Sequence, residues 1–175
     1  MQSAILSLNN FLSPFTLWIR DNKVLVGRIL ITLAFLSIGF TLAPQFQKFL
    51  GEWAYNLLLL ILIVGPLARV SGIEFLGSIR LFRRELGILM GMLALMHYAT
   101  FLIKNFEYLE VIIQNPNPPL WLPVGFWAMI LAFLLLITSN NWAVKKLGKW
   151  WKRLHRLVYA ILILVIVHVV ALKAK

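Results

Sequence analysis

The 175-residue sequence contains no cysteine, only six acidic residues and only three histidines. The absence of cysteine excludes disulfide scaffolds, thiolate metal sites and cysteine nucleophiles. Charged residues make up 13% of the chain, about half the share found in soluble globular domains, whereas hydrophobic residues make up 61%. Because so few polar side chains cannot cover a water-facing surface, the composition indicates a membrane protein.

Uncharged apolar stretches recur along the chain at lengths close to the roughly 20 residues that a membrane-spanning helix needs. We therefore predict an all-α, polytopic helix bundle embedded in a lipid bilayer. Residues 1–28 are assigned to an N-terminal interfacial lead-in, because they lack the basic start and clean apolar core of a secretory signal. Residues 29–175 form the predicted membrane domain. Its five predicted transmembrane helices are at residues 29–45, 53–68, 86–103, 120–137 and 157–172.

The formal net charge is +11, and its distribution follows the predicted spans. Of the 17 lysines and arginines, 13 fall on one side of these spans. Basic loops face the cytoplasm, so the N-terminus is predicted inside and the C-terminus outside. No soluble basic face is left over, which argues against a nucleic-acid partner. The remaining four basic residues, on the predicted outer side, are Lys48, Lys104, Lys173 and Lys175.

Histidines inside the predicted spans are the candidate functional residues, because ionisable groups in a bilayer usually mark function. His97 lies in the third span and His168 in the fifth. From the rise of a helix, His97 is about 16 Å from the inner end of its span. His168 is about 20 Å from His155, which marks the inner end of the fifth span, so His97 and His168 lie at similar depth. Since two imidazoles on separate helices can ligate one haem iron, we predict this pair as axial ligands.

The inner end of the bundle offers a second group of candidates. His155 is a candidate ligand of a second haem or a contact for a propionate or flavin phosphate. On an ideal helix it lies about 140° around the axis from His168, so the two do not face one groove. A plain interfacial basic residue fits His155 equally well. Arg83 and Arg84 are topology signals first, and candidate propionate, phosphate or flavin contacts second.

The sequence contains no phosphate-binding glycine loop, HExxH motif or nucleophile elbow, so we predict no catalytic residue. Electrons must then come from a separate protein or a diffusible carrier. Gly87 and Gly91 form a GxxxG motif, which usually lets helices approach closely. Near His97 the same motif also fits as space for a flat macrocycle.

Three motifs carry a family resemblance: GPLAR at residues 65–69, RRELG at 83–87 followed by His97, and KLGKWWKRLHRLVY at 146–159 followed by His168. Over about residues 51–172 the chain resembles the ferric-reductase-like transmembrane domain family. Within that family it resembles the haem-binding membrane subunits of bacterial periplasmic protein-methionine-sulfoxide reductase systems. The resemblance implies b-type haem held by His97 and His168, with His155 as a further ligand. Members usually carry a sixth helix, whereas this sequence ends at Lys175.

The resemblance also implies a function. A cytochrome b of the bacterial inner membrane would pass electrons from a cytoplasmic, NAD(P)H-dependent flavin reductase to a periplasmic molybdopterin-containing reductase subunit. One or two haems b, and an FMN at the basic inner face, are the implied cofactors. The chain would then be the electron-transfer subunit of an oxidoreductase system. Three alternatives stay open: a free-standing ferric or quinone reductase, a haem-free membrane scaffold, and a histidine path for protons or metal ions.

Overall fold

The computed structural model describes residues 2–36, 44–106, 114 and 117–174. Every regular element in these ranges is helical, so the predicted all-α fold is confirmed there. Short 3₁₀ segments lie at Pro44–Phe46, Arg80–Phe82 and His155–Leu157. The α-helices are α1 (Gln2–Asp21), α2 (Lys23–Leu36), α3 (Gln47–Ser71), α4 (Glu74–Ile79), α5 (Arg83–Lys104), α6 (Trp121–Ile137), α7 (Asn141–Leu147), α8 (Lys149–Leu154) and α9 (Val158–Lys173).

Three described helical stretches are long and apolar enough to cross a membrane: Gln47–Ser71, Glu74–Lys104 and Lys149–Lys173. They contain the predicted spans 53–68, 86–103 and 157–172. Helices α6 and α7 pass the same test as a pair bent by 93°, and α6 corresponds to the predicted span 120–137. The described residues therefore provide three spans, or four if the bent pair counts as one. This is a membrane protein.

The first predicted span, 29–45, lies partly outside the described residues. Helix α2 covers it as far as Leu36, and residues 37–43 are not among those described. The predicted lead-in is a continuous helix, α1, that passes through Pro14 and ends at Asp21. Helix α2 then begins at Lys23, earlier than the predicted domain boundary at residue 29. The direction in which the chain crosses the membrane stays a prediction.

Helix α1 is attached to the turn between α3 and α4 by one side chain. Asn9 donates from Nδ2 to the carbonyl of Gly72 (3.1 Å) and accepts at Oδ1 from the amide of Glu74 (3.2 Å). Gly72 has a φ of 67°, which allows α3 to end in the left-handed conformation that glycine adopts without strain. Phe11 on α1 is 80% exposed in the protein alone. The location of α1 at the membrane interface stays a prediction.

Four helices form the interior. Helix α3 packs chiefly on α5, and α6 packs chiefly on α9. Gly91 allows α5 to approach α6, because a methyl group there would lie 3.3 Å from the Leu136 side chain, whereas Gly87 faces open space. One buried cluster joins all four helices (Leu58, Met90, Ala132, Leu135 and Ile161), and a second joins α3 to α5 (Leu50, Ala54, Leu93 and Met96).

Candidate functional site

A cavity of about 540 Å³ lies between α3, α5, α6 and α9. This volume is within the range of roughly 300–1,000 Å³ that is usual for cofactor and small-molecule sites. Both His97 of α5 and His168 of α9 line it. The two histidines that the sequence analysis pairs therefore line the same cavity, and their equal depth in the membrane stays a prediction.

The imidazole of His97 is fixed by the first turn of α3. Its Nδ1 lies 2.7 Å from the carbonyl oxygen of Gln47. One turn further along α3, Gly51 leaves room for the ring, because a Cβ at that position would lie 2.8 Å from Nδ1 of His97. That separation is shorter than any ordinary van der Waals contact. Glycine at residue 51 is therefore what lets the ring lie against the helix backbone and reach the carbonyl.

The imidazole of His168 is fixed in the same way by the first turn of α6. Its Nδ1 lies 2.7 Å from the carbonyl oxygen of Trp121. A Cβ at Gly125, one turn further along α6, would lie 2.6 Å from this Nδ1. The rings of Trp121 and His168 also meet edge to face, with centroids 6.4 Å apart. The two histidines thus share one arrangement: a carbonyl at the start of a neighbouring helix, and a glycine four residues later.

These contacts determine which ring nitrogen is free to act as a ligand. A carbonyl oxygen only accepts hydrogen bonds, so Nδ1 of each histidine must carry the proton. In a neutral imidazole the lone pair then resides on Nε2. Within the described part of the chain, neither Nε2 has a hydrogen-bond partner. Metal-ligating histidines usually donate their other N–H to a carbonyl or carboxylate, so both rings are prepared as Nε2 ligands.

His155 lies elsewhere. The Thr138 hydroxyl donates to the carbonyl of Leu134 (2.8 Å), so the hydroxyl oxygen accepts from Nε2–H of His155 at 3.3 Å. The ring also stacks on Trp151, with centroids 4.0 Å apart, and the indole of Trp151 donates to the carbonyl of Thr138 (2.9 Å). His155 does not line the cavity. The structure therefore brings His97 and His168 together and leaves His155 in a separate aromatic contact.

Arg83 and Arg84 do not line the cavity either. The Arg83 guanidinium lies against the backbone of Gly65, where a Cβ would collide with it. Arg84 donates to Oδ1 of Asn141 at 2.7 Å and lies 3.5 Å from the carboxylate of Glu85. These contacts join α5 to α3 and α7. Their role toward a cofactor stays a prediction.

The sequence prediction missed Gly51 and Gly125, together with the carbonyl groups of Gln47 and Trp121. It considered Gly87 and Gly91 as space for a macrocycle instead, and neither of these lines the cavity. The available signal was a glycine near the start of an apolar span adjacent to a histidine-bearing span. Such a glycine is informative only once the two helices are known to be neighbours.

The residues present fit a haem. Two imidazoles whose Nε2 atoms have no hydrogen-bond partner among the described residues line a mostly apolar cavity of suitable volume, and Gly51 and Gly125 leave room for their rings. These features meet the needs of a large flat group ligated from both sides. A bare metal ion fits less well, because no three His, Asp or Glu side chains within the described ranges are grouped to hold one.

Comparisons with known proteins agree with this fit. The sequence model of the family described as "Ferric reductase like transmembrane component" matches residues 50–166. This range contains Gly51, His97, Gly125 and His155, and it ends two residues before His168.

Among curated relatives, the protein-methionine-sulfoxide reductase heme-binding subunit MsrQ of Brucella anthropi is 34% identical over 125 residues, covering 70% of this chain and 54% of the relative. The same subunit of Brucella ovis is 36% identical over 124 residues, with the same two coverages. The chain thus spans about half the length of these relatives. No solved structure matches it significantly. The family match covers well over half of the sequence, and the chain therefore belongs to the ferric reductase like transmembrane component family.

Proposed function

We propose that the chain is a membrane electron-transfer subunit that binds one haem b between His97 and His168. The observation that carries this proposal is the matched pair of imidazoles, each held through Nδ1 by a backbone carbonyl and each lining the same cavity. Bound there, haem supplies a one-electron carrier that alternates between ferric and ferrous iron.

The residues of the chain perform the remaining tasks. The Nδ1–H bonds to Gln47 and Trp121 fix the tautomer and orientation of both ligands, and they increase the electron density available at Nε2. Gly51 and Gly125 let the rings lie close to α3 and α6. The apolar lining excludes water, and burial in a low dielectric is one of the protein's means of setting a redox potential.

The direction of transfer and the partners are also proposals. The Brucella relatives are named as heme-binding subunits of a protein-methionine-sulfoxide reductase, which supports a catalytic reductase subunit as the acceptor. We propose that this subunit contains molybdopterin and lies on the outer side of the membrane. Helices α7 and α8 carry a dense group of basic residues, and Arg153 lies 4.6 Å over the ring of the exposed Trp150. A basic and aromatic face of this kind supports docking of a cytoplasmic flavin reductase, or binding of FMN, at the inner side of the bacterial inner membrane.

The test is the haem content of histidine variants. His97→Ala and His168→Ala should each lose the b-type absorption spectrum of the detergent-purified protein, and pyridine haemochrome analysis should detect almost no haem. His155→Ala is the matched control and should keep one haem per chain, because its ring does not line the cavity.

Two results would contradict the proposal. A wild-type protein that stays colourless after haem supplementation would favour the scaffold hypothesis, in which the histidines only join helices. If His155→Ala lost its haem and His97→Ala retained it, the haem ligands would have to lie at the inner end of the bundle. A free-standing ferric or quinone reductase is distinguished by rapid oxidation of the reduced haem by small acceptors without a protein partner.

A further inference from the structure

The cavity has two chemically different ends. One end lies two helical turns, or about 10 Å, along the helices from the two histidines and the two glycines against which they lie. The lining of this end is purely apolar. Each of the four helices contributes one residue there, seven positions from Gly51, His97, Gly125 or His168. These residues are Leu58, Met90, Ala132 and Ile161.

Lysines lie at the opposite end. Lys48 and Lys173 line the cavity itself, and Lys104 joins Lys48 and His97 around an adjoining cavity of about 390 Å³. Lys48 directly follows Gln47 at the start of α3, whereas Lys104 and Lys173 lie at the ends of α5 and α9. We refer to Lys48, Lys104 and Lys173 as the lysine rim. The lysine rim contains three of the four basic residues that the sequence analysis placed on the outer side of the membrane.

The charge of this end is unbalanced. Glu52 is the one carboxylate among the described residues lining the two cavities, and it lies 3.6 Å from the ammonium of Lys48. The described lining residues thus contribute three ammonium groups and one carboxylate, a net charge of +2. A haem carries two propionate carboxylates, which are costly to place in an apolar environment unless they are paired or reach water.

We propose that the lysine rim binds the two haem propionates and so fixes the orientation of the macrocycle, with its apolar edge toward Leu58 and Ile161. This inference rests on the proposed haem function. An alternative structural role for Lys104 and Lys173 is to stabilise the ends of α5 and α9, since cations are favourable at helix C-termini. A helix-stabilising role does not depend on the propionate carboxylates of haem, whereas the proposed role does. The test uses this difference.

The experiment compares two ligands on the full-length chain, purified without haem and titrated with either haemin or haemin dimethyl ester. The ester lacks both negative charges and keeps the iron and the macrocycle. Charge-assisted hydrogen bonds are the strong ones, so we expect wild-type protein to prefer haemin by at least about tenfold. In the variant with Lys48→Gln, Lys104→Gln and Lys173→Gln, this preference should fall by about tenfold, with binding of the ester unchanged.

Two further variants make the comparison specific. Lys145→Gln with Lys146→Gln and Lys149→Gln removes the same number of charges at the opposite end of the bundle and should keep the wild-type preference. Glu52→Gln removes the competing carboxylate and should increase the preference for haemin. Because this second variant acts in the opposite direction, the test does not depend on the stability of the triple lysine variant.

The outcomes separate this inference from the proposed function. Tight binding of both ligands with no preference, or a preference that survives in the rim variant, would overturn the propionate assignment and leave haem ligation intact. Binding of neither ligand to the wild-type chain would overturn the proposed function, and the lysine rim assignment would fall with it.

Discussion

The two cavity histidines lie inside the apolar helices α5 and α9, whereas His155 lies in the 3₁₀ segment between α8 and α9, and different ring nitrogens are engaged in the two settings. His97 and His168 use Nδ1 to donate to backbone carbonyls, which leaves Nε2 free toward the cavity. His155 instead donates from Nε2 to the Thr138 hydroxyl and stacks on Trp151. Position along a membrane helix indicates burial, whereas the group presented by the neighbouring helix decides which nitrogen can bind iron.

The surroundings of the rings differ as well. Each cavity histidine lies against a glycine of a neighbouring helix, so its ring is held by backbone and keeps an open side. The His155 ring is covered on one face by an indole. Close backbone approach without a covering side chain is the feature that separates the two histidines proposed as ligands from His155.

The largest expected effect comes from adding a methyl group at Gly51 or Gly125, the two glycines against which the cavity histidines lie. Gly125→Ala places a methyl group 2.6 Å from Nδ1 of His168, and Gly51→Ala places one 2.8 Å from Nδ1 of His97. Since neither backbone can move without disturbing its helix, each ring must leave its carbonyl. We expect each variant to lose most of its bound haem, measured as pyridine haemochrome per chain.

Gly87→Ala is the matched control for these substitutions. It adds the same methyl group to the interior of a membrane helix at a position with nothing within 4 Å. Its haem content should equal that of the wild type. If Gly51→Ala and Gly125→Ala also kept full haem with unchanged spectra, the interpretation that these two glycines make room for the histidine rings would be wrong.

The matched depth of His97 and His168 could be predicted because the rise of an α-helix is fixed, and a residue number converts directly into a distance along the axis. Their hydrogen-bond partners could not be predicted, because these depend on how neighbouring helices are rotated about their axes. Gln47 and Trp121 contribute only backbone carbonyls, which every residue possesses, so no side-chain pattern marks them. Gly51 carried a signal that was readable only once α3 was known to face α5.

A moderate effect is expected from Thr138→Val, which removes the hydroxyl that accepts from His155. The substitution leaves Nε2–H of His155 without its partner, and an unpaired polar group of this kind costs about 1 kcal/mol of stability. Thermal unfolding in detergent should therefore occur at a lower temperature. Haem content should stay at one per chain, because no cavity is lined by the freed ring.

Ser139→Ala provides the comparison for Thr138→Val. Ser139 makes an equivalent local bond to the carbonyl of Leu135 (2.7 Å) and has no contact with a histidine among the bonds that the structure describes. It should destabilise the protein less than Thr138→Val. If the Thr138→Val variant bound a second haem, the hydrogen bond to Thr138 would be what prevents His155 from ligating iron in the wild type.

The helical spans 53–68, 86–103 and 157–172 were predictable because long apolar stretches in a bilayer must satisfy their backbone groups internally, as helices do. The bend of 93° after α6 was not predicted. It arises locally, where α6 ends near Thr138 and Asn140 accepts from the amide of Ala143 (2.8 Å) to begin α7. A capping asparagine shows where a new helix starts, but not the angle between the two helices.

The smallest expected effect concerns the exposed bond between Arg84 and Asn141. The sequence analysis offered Arg84 as a candidate propionate, phosphate or flavin contact. In the structure its guanidinium bonds to Oδ1 of Asn141 and lies near Glu85, away from the cavity. The bond between Arg84 and Asn141 is exposed and contributes little, so Asn141→Ala should lower the free energy of unfolding by about 0.5 kcal/mol or less and leave haem content unchanged. Arg84→Gln should cost more stability, because it also removes the ion pair to Glu85, whose side chain is mostly buried. Adding Asn141→Ala to Arg84→Gln should change little further, because the bond between them is already lost. A substantial loss of haem from Arg84→Gln alone would mean that the inner arginines reach the cofactor, and the contrast between the two ends of the bundle would then have to be abandoned.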